Sequence, residues 1–391
     1  MHGNSSLAAI TVRALAFLER ITEVVMDYST RIEEARRRMA TKQVDLLAVS
    51  PGDDLWYLCG YSPTADERPC YLLVDAKSAA FVVPSLNATQ AAAHVRVPTF
   101  VYTDAEGPAA ALDGARQALS VRHPARLAVG DTMRADFVLT LAGAYPDARL
   151  TVGSEILADL RMRKSVEEIE ALRRSARHAD RAMRDAWAAC RVGATEQEIA
   201  DVAASSFKRA GSQEVLFASV ASGPNGAFPH HHVTGRQLAA GDAVTLDLGG
   251  RLDGYASDIT RMAYIGTPGA RYLEVHRTVE AAVQAALAVI RPGAPLKEVD
   301  LAARGVIEQA GFGQYFTHRV GHGLGVSGHE PPSVTHLSTL SVEAGFVFSV
   351  EPGIYIPGEL GVRLEEIVSV TEDGAHILSE LARDVHRVKA A

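Results

Sequence analysis

Two short stretches decide the fold: AVTLDLGG at residues 243–250 and GYASDITRMAYIG at residues 254–266. Each is an apolar strand pattern holding one acid, Asp247 in the first and Asp258 in the second, and Leu252-Asp253-Gly254 between them reads as a turn. A simple hairpin centred on that turn places the two aspartates face to face across the ladder. The chain then repeats the device. FVFSVEPGIY at 346–355 holds Glu351, GVRLEEIVSV at 361–370 holds Glu365, and their midpoint is Gly358 in the turn Pro357-Gly358-Glu359. Directly opposite residues of an antiparallel pair have Cβ atoms roughly 4.5–5.5 Å apart. Two carboxylates there repel, and at least one pKa rises unless a cation intervenes. Two cations roughly 3.5–4 Å apart neutralise four such groups. Single acids at strand ends are usually just surface charges, but two symmetric pairs inside apolar strands predict a two-metal site.

A weaker repeat runs upstream of each hairpin. Gly193-Ala194-Thr195 through Ala210-Gly211 aligns without a gap on Gly293-Ala294-Pro295 through Ala310-Gly311. Identities fall at the Gly-Ala start, at Glu198 and Glu298, at Ala203 and Ala303, and at the Ala-Gly end. Thr195 with Glu198 is a capping-box signature, and Ala-Gly marks a helix C-terminus. Each copy is therefore expected to be a helix leading into one carboxylate hairpin, so that this part of the chain has an internal pseudo-two-fold.

Histidines supply further donors. The segment from Phe316 to Glu330 holds His318, His322 and His329 among Gly321, Gly323, Gly325 and Gly328, as a loop folded tightly around a site requires. His230, His231 and His232 follow the turn-rich Ser222-Gly223-Pro224-Asn225-Gly226. Adjacent side chains point different ways, so one of these three is expected to face the site and the other two to belong to a solvated loop. Oxygen-rich ligation with few nitrogens favours Mn²⁺ and similar divalent ions over a thiolate-type zinc site.

The 391 residues suggest two domains, and 47% hydrophobic with 22% charged residues is ordinary for a soluble globular protein. A net charge of −8 argues against a nucleic-acid or anionic-membrane surface and suits a small-molecule or peptide substrate. Cys59, Cys70 and Cys190 form no closely spaced pair, which points to a reducing cytoplasm. No apolar run approaches the length of a membrane span. Arg13, Glu19 and Arg20 sit in and beside the first apolar stretch with no basic region before it, so neither a signal peptide nor an anchor is expected. Residues 1–27 read as an N-terminal extension, with Met26 an alternative start. Residues 28–155 read as a small α/β domain, with strands at 44–49, 71–74, 79–83 and 126–130 between helices. Residues 156–391 form the second domain, opened by a charged amphipathic helix from Val166 to about Arg191 that carries Ile169, Leu172, Ala176, Ala179 and Met183 on one face.

LDLGG, GYASDITR, HRVGHGLG with His329-Glu330 seven residues on from His322, VEPGIY and GVRLEE together resemble the metal-dependent "pita-bread" peptidases of family M24, in the prolidase and aminopeptidase P branch. DDLWYLCGY followed by ERPCYLLV is similar to the creatinase-type amino-terminal domain, so the likeness covers roughly residues 30 to 385. The resemblance implies an α+β architecture: a pita-bread catalytic domain preceded by the smaller α/β domain. It implies Asp247, Asp258, His322, Glu351 and Glu365 as ligands of two divalent metals, most often Mn, with Co, Zn or Fe as alternatives. It further implies His230 as a substrate-contacting or proton-shuttling histidine, His329 as stabiliser of the tetrahedral intermediate and His318 as a pocket histidine. Glu351 is implied to accept or relay the proton, and Arg363 to support the site or hold a substrate carboxylate. The implied reaction is hydrolysis of the peptide bond preceding proline, in a dipeptide or at a longer peptide's N-terminus, by a hydroxide between the metals. The implied assembly is a homodimer. Three positions depart from the family pattern. Ser327-Gly328 precedes His329 in place of an acidic and an aliphatic residue, Glu366 stands where Asp is common, and Cys59 where Thr is common. These leave metal binding intact and bear on proline specificity. Hydrolysis of a non-peptide amide or small zwitterion on the same fold is the nearest rival; a non-catalytic peptide-binding module would be expected to have lost ligands.

Overall fold

The computed structural model describes residues 28–390. The expected N-terminal extension and the question of Met26 lie outside the described residues. The first unit is a six-stranded sheet built from β1 (Leu46–Val49), β2 (Tyr71–Asp75), β3 (Ala79–Pro84), β4 (Thr99–Tyr102), β5 (Arg126–Val129) and β6 (Arg149–Val152), in the order β4-β3-β2-β1-β5-β6. Pairing is antiparallel within β1-β2-β3 and parallel elsewhere, a mixed sheet whose strands alternate with helices. Successive central-strand residues enter different cores: Leu47, Val49, Leu72 and Val74 pack on one face, Leu46, Ala48, Tyr71 and Leu73 on the other. Helix Ser154–Met162 leads out of this sheet.

The second unit opens with helix Val166–Ala189, started by a capping box between Ser165 and Glu168 and burying Leu172, Ala176, Ala179 and Met183. Its first half adds helix Glu196–Ala210 and the strands β7 (Glu214–Ser222), β8 (Ala243–Leu252) and β9 (Tyr255–Ile265). The second half adds helices Ala270–Val289 and Lys297–Gln309, followed by β10 (Gly321–Gly323), β11 (Glu330–Val334), β12 (Val347–Val350), β13 (Gly353–Ile356), β14 (Leu360–Arg363), β15 (Glu366–Thr371) and β16 (Gly374–Ile377). The last strand, β17 (His386–Val388), returns to the first half, giving sheets ordered β17-β9-β8-β7 and β11-β10-β12-β15-β16 with a separate β13-β14 ribbon.

The repeat is physical. Gly193 N–H donates to Leu238 O (2.8 Å) and Gly293 N–H to Val342 O (2.9 Å), while Leu238 N–H and Val342 N–H return bonds to Ala194 O and Ala294 O, both at 2.8 Å. Gly211 and Gly311 end the duplicated helices with φ of 95° and 83°. The copies differ at their starts. Thr195 and Glu198 form the expected capping box, whereas the second helix starts after Leu296 with no side-chain cap.

The hairpin registers divide. Asp253 (φ 52°) and Gly254 (φ 79°) make a two-residue turn of the Asp-Gly type, so Leu252 pairs Tyr255, Asp247 pairs Thr260 and Asp258 pairs Gly249. The expectation that Asp247 and Asp258 lie directly opposite is therefore corrected. They are diagonal neighbours on one face, because the turn is centred between Asp253 and Gly254, one residue beyond the midpoint of the two aspartates. Packing supports the tight turn: a Cβ on Gly254 would fall 2.0 Å from the Trp56 ring. In the second half Gly353 pairs Arg363 and Val350 pairs Glu366, one continuous register that sets Glu351 against Glu365 as expected. These two residues occupy the gap between the β12–β15 and β13–β14 ladders.

Candidate active site

Where the two halves meet, a cavity of about 630 Å³ is lined by Asp247, Asp258, His322, Glu351 and Glu365, and by His230, His318, His329 and Arg363. The structure thus brings together every residue singled out for the site. Ligand-capable atoms fall within 4.8 Å of one another in three overlapping sets: Asp247 with Asp258 and Glu365; His322 with Glu351 and Glu365; and Asp258 with His322 and His329.

The four acids crowd together with Arg363 and His322 as the nearby compensating charges. Burial, then Glu365, Asp247 and Glu351, drive the Asp258 carboxyl far above its ordinary range. Burial, then Glu351 and Asp247, push Glu365 up to about 8, and Glu365 Oε1 is buried with no hydrogen-bond partner among the described residues. Burial also works against Glu351, but a hydrogen bond from His322, together with the charges of His322 and Arg363, holds it down at about 2. A bare, buried carboxylate oxygen within a cluster of acids is an energetic liability unless a cation neutralises it. The donor set, carboxylates with one accompanying imidazole, fits hard or borderline divalent ions. His322 is oriented for this role: Nδ1 faces Gly323 O (3.1 Å), leaving Nε2 toward Glu351 (3.1 Å) and Asp258 (3.8 Å).

A polar scaffold holds the acids. Arg363 donates to Asp247 Oδ2 (2.7 Å), to Thr260 Oγ1 (3.0 Å) and to Tyr355 Oη (3.0 Å). Thr260 Oγ1 also lies 3.0 Å from both Asp247 Oδ1 and Glu365 Oε2. Tyr355 and His318 share a 2.9 Å hydrogen bond, and His318 Nδ1 donates to Arg319 O (2.7 Å). His329 stacks on His322 with ring centroids 3.7 Å apart, and burial followed by the charge of His322 lowers it to about 4. Arg363 thus spends its donors on the scaffold.

Thr260, Tyr355 and Glu196 escaped the sequence reading. For Thr260 a signal existed, since it stands two residues beyond Asp258 and so on the same strand face. Tyr355 lies four residues beyond Glu351 in the same quoted strand. His231 overturns the solvated-loop expectation: its side chain is mostly buried and Nε2 lies 2.9 Å from the Glu196 carboxylate. His230 and His232 line the cavity alongside it.

The departures find physical explanations. Ser327 Oγ donates to Asp53 Oδ2 (2.5 Å), and Glu330 accepts from Lys164 Nζ (2.8 Å) and Arg161, so the segment carrying His329 is tied to the first unit and its connector. Glu366 turns away from the cavity to pair with Arg261 (2.9 Å) and Arg383 (2.8 Å). Cys59 is buried in the first unit, its Sγ hydrogen donating to Leu55 O (3.1 Å).

A family model for metallopeptidase family M24 matches residues 170–372, and the creatinase/prolidase N-terminal domain matches residues 31–163. The chain belongs to metallopeptidase family M24. Among the relatives of this M24 protein is the probable dipeptidase PepE of Mycobacterium tuberculosis, 38% identical over 89% of this chain and 93% of the relative. The Xaa-Pro dipeptidase of Lactobacillus helveticus is 35% identical over 87% and 94%. The prolidase structure from Thermococcus sibiricus superimposes with a TM-score of 0.89 at 30% identity, covering 93% of this chain and all of that one. The M24 protein is accordingly a metal-dependent hydrolase with the pita-bread fold, and its cofactor is divalent metal ions. Among the described residues no helix is long and apolar enough to cross a membrane.

Proposed function

We propose that the M24 protein hydrolyses the peptide bond preceding proline in short peptides, with two divalent ions, Mn²⁺ the first choice, held by Asp247, Asp258, His322, Glu351 and Glu365. The observation that carries this reading is the acid cluster together with the buried, unpartnered Glu365 Oε1 that belongs to it. When bound, the ions supply Lewis acidity and water activated near neutral pH. The chain's own residues do the rest. Glu351 receives the proton of the attacking water and passes it towards the leaving amine. His329 donates a hydrogen bond to the developing oxyanion. Arg363 and Thr260 keep the Asp247 and Glu365 carboxylates in place, and the His318–Tyr355 pair forms a polar wall. His230 meets the substrate at the cavity wall. A bond before proline has no N–H on its leaving amide, so the pyrrolidine ring is selected by shape.

Residues 28–155 act as the creatinase-like domain and 156–391 as the catalytic domain in this reading, within a cytoplasmic homodimer. Light scattering of the active protein at the mass of a monomer would refute the dimer. The central test compares hydrolysis of Ala-Pro and Ala-Pro-Ala by Mn²⁺-reconstituted protein with a chelated control. Metal-dependent cleavage of the dipeptide alone establishes a dipeptidase, and cleavage of the tripeptide an aminopeptidase. Cleavage of neither overturns the proposal in favour of a non-peptide amide.

A further inference from the structure

Glu196 is the first residue of the helix that follows the Thr195 cap, and it is completely buried. It is not needed for capping, which Thr195 and Glu198 perform. Its carboxylate instead gathers donors from the segment that enters and leaves the histidine cluster. Oε1 accepts from Ser222 N–H (2.8 Å), Ser222 Oγ (2.8 Å) and Asn225 Nδ2 (2.9 Å). Oε2 accepts from His231 Nε2 (2.9 Å), Thr234 N–H (3.1 Å) and Thr234 Oγ1 (2.7 Å). One buried charge thus binds both ends and the middle of residues 222–234, a stretch that runs from the end of β7 through the short 3₁₀ turn Gly223–Ala227 into irregular backbone.

We propose that Glu196 is a positioning residue for the hydrolytic reaction, acting on His230 through His231 and the ends of this segment. His230 stands between two anchored neighbours. Pro229 O accepts from Arg363 (3.3 Å), and His231 is held by Glu196 through its ring and by Ser219 Oγ through its carbonyl (2.9 Å). With both neighbours anchored, His230 is held at the cavity wall, which it lines. The helix and sheet around Glu196 have their own apolar core, including Ile199, Ala203, Phe207, Val220 and Leu246, so the carboxylate is not what holds them together. The other half of the domain uses the same device. Asp300, also completely buried and in the first turn of the duplicated helix, accepts from Val320 N–H (2.9 Å) and from Arg304, which donates to Phe316 O (3.1 Å) and His318 O (2.9 Å).

The catalytic part of this inference rests on the peptidase reading, and the test separates the two. Glu196→Gln keeps the shape but offers one acceptor oxygen and an amide N–H₂ facing donors, so about half of the six hydrogen bonds are lost. Hydrogen exchange of residues 222–234 is expected to accelerate about tenfold or more, with exchange at 316–322 and the Mn²⁺ content unchanged. On Ala-Pro, Glu196→Gln should alter kcat and KM in the same ratio as His230→Ala, and the double variant should match His230→Ala alone. Losses that multiply in the double variant, or unchanged exchange in residues 222–234, would overturn the proposal. If the wild-type chain cleaves no peptide, the exchange arm still decides whether Glu196 orders this segment. Should Glu196→Gln not fold, His231→Ala, which removes one donor and leaves the carboxylate, is expected to show the same pattern at smaller amplitude; wild-type exchange and kinetics in it would also refute the role.

Discussion

The two halves of the catalytic domain share a backbone plan but deliver their acids differently. In the first half the β8–β9 ladder is unbroken through its tight Asp253-Gly254 turn, so Asp247 and Asp258 are diagonal neighbours. In the second half the ladder opens between Val350–Glu366 and Gly353–Arg363, and Glu351 and Glu365 face each other in the gap. An intact ladder keeps backbone groups occupied and offers side chains from one face only. An interrupted one frees its residues to turn inward, and there the most perturbed glutamates lie. Duplication supplied two hairpins; the difference in turn length and continuity made them complementary.

Removing a proposed metal ligand should separate chemistry from fold most sharply. Asp258→Asn is expected to reduce peptide hydrolysis by about 10³-fold or more while circular dichroism stays native; near-normal turnover in that variant would sink the two-metal reading. Because Asp258 is one of several crowded acids, the chelated variant should melt no lower than the chelated wild type, whereas Mn²⁺ should stabilise the wild type by about 2.7 kcal/mol at a hundredfold excess over Kd.

The hub of the second half gives the next effect. Asp300→Asn should lower activity by about 10- to 100-fold through loosened His318 and His322 backbones, with bound Mn²⁺ weakened as well. Glu196→Gln should leave metal content unchanged. Equal loss of metal in both would erase the distinction between the halves.

The hairpin turns offer a stability comparison. Gly254→Ala combines a positive φ with overlap on Trp56 and should cost about 3 kcal/mol or more, whereas Gly358→Ala, at φ 75° with open space around it, should cost about 1 kcal/mol. Urea denaturation of both variants checks the order.

Acid provides the smallest effect. Burial raises Glu196, but its hydrogen bonds from Thr234, Asn225, His231 and Ser222 outweigh burial and hold it at about 2, below the ordinary 4.5. A depressed carboxylate stabilises the fold above its unfolded pKa, and that contribution fades as pH falls from about 4.5 towards 2. Glu196→Gln should therefore flatten the loss of stability in that window, measured by urea midpoints at stepped pH.

Much of the site was legible in the chain because acids and histidines set inside apolar strands and glycine-rich turns break the local pattern. Apolar strands interrupted by Asp247, Asp258, Glu351 and Glu365, the glycine-rich run around His322, and the helix repeat from Gly193 and Gly293 all carry local patterns. What was misread involved counting or context. The Asp-Gly turn is centred one residue beyond the midpoint of Asp247 and Asp258, and His231 is drawn inward by a glutamate thirty-five positions earlier.

The sequence alone therefore determined the fold class, the acid set and the second hairpin's register, since period-2 patterning and turn chemistry act between near neighbours. The tertiary structure alone decided the partners of Thr260, Tyr355, Glu196 and Asp300. A buried polar side chain takes its role from whichever donors the folded chain brings within hydrogen-bond reach, and those donors come from distant segments whose local patterns carry no record of the meeting.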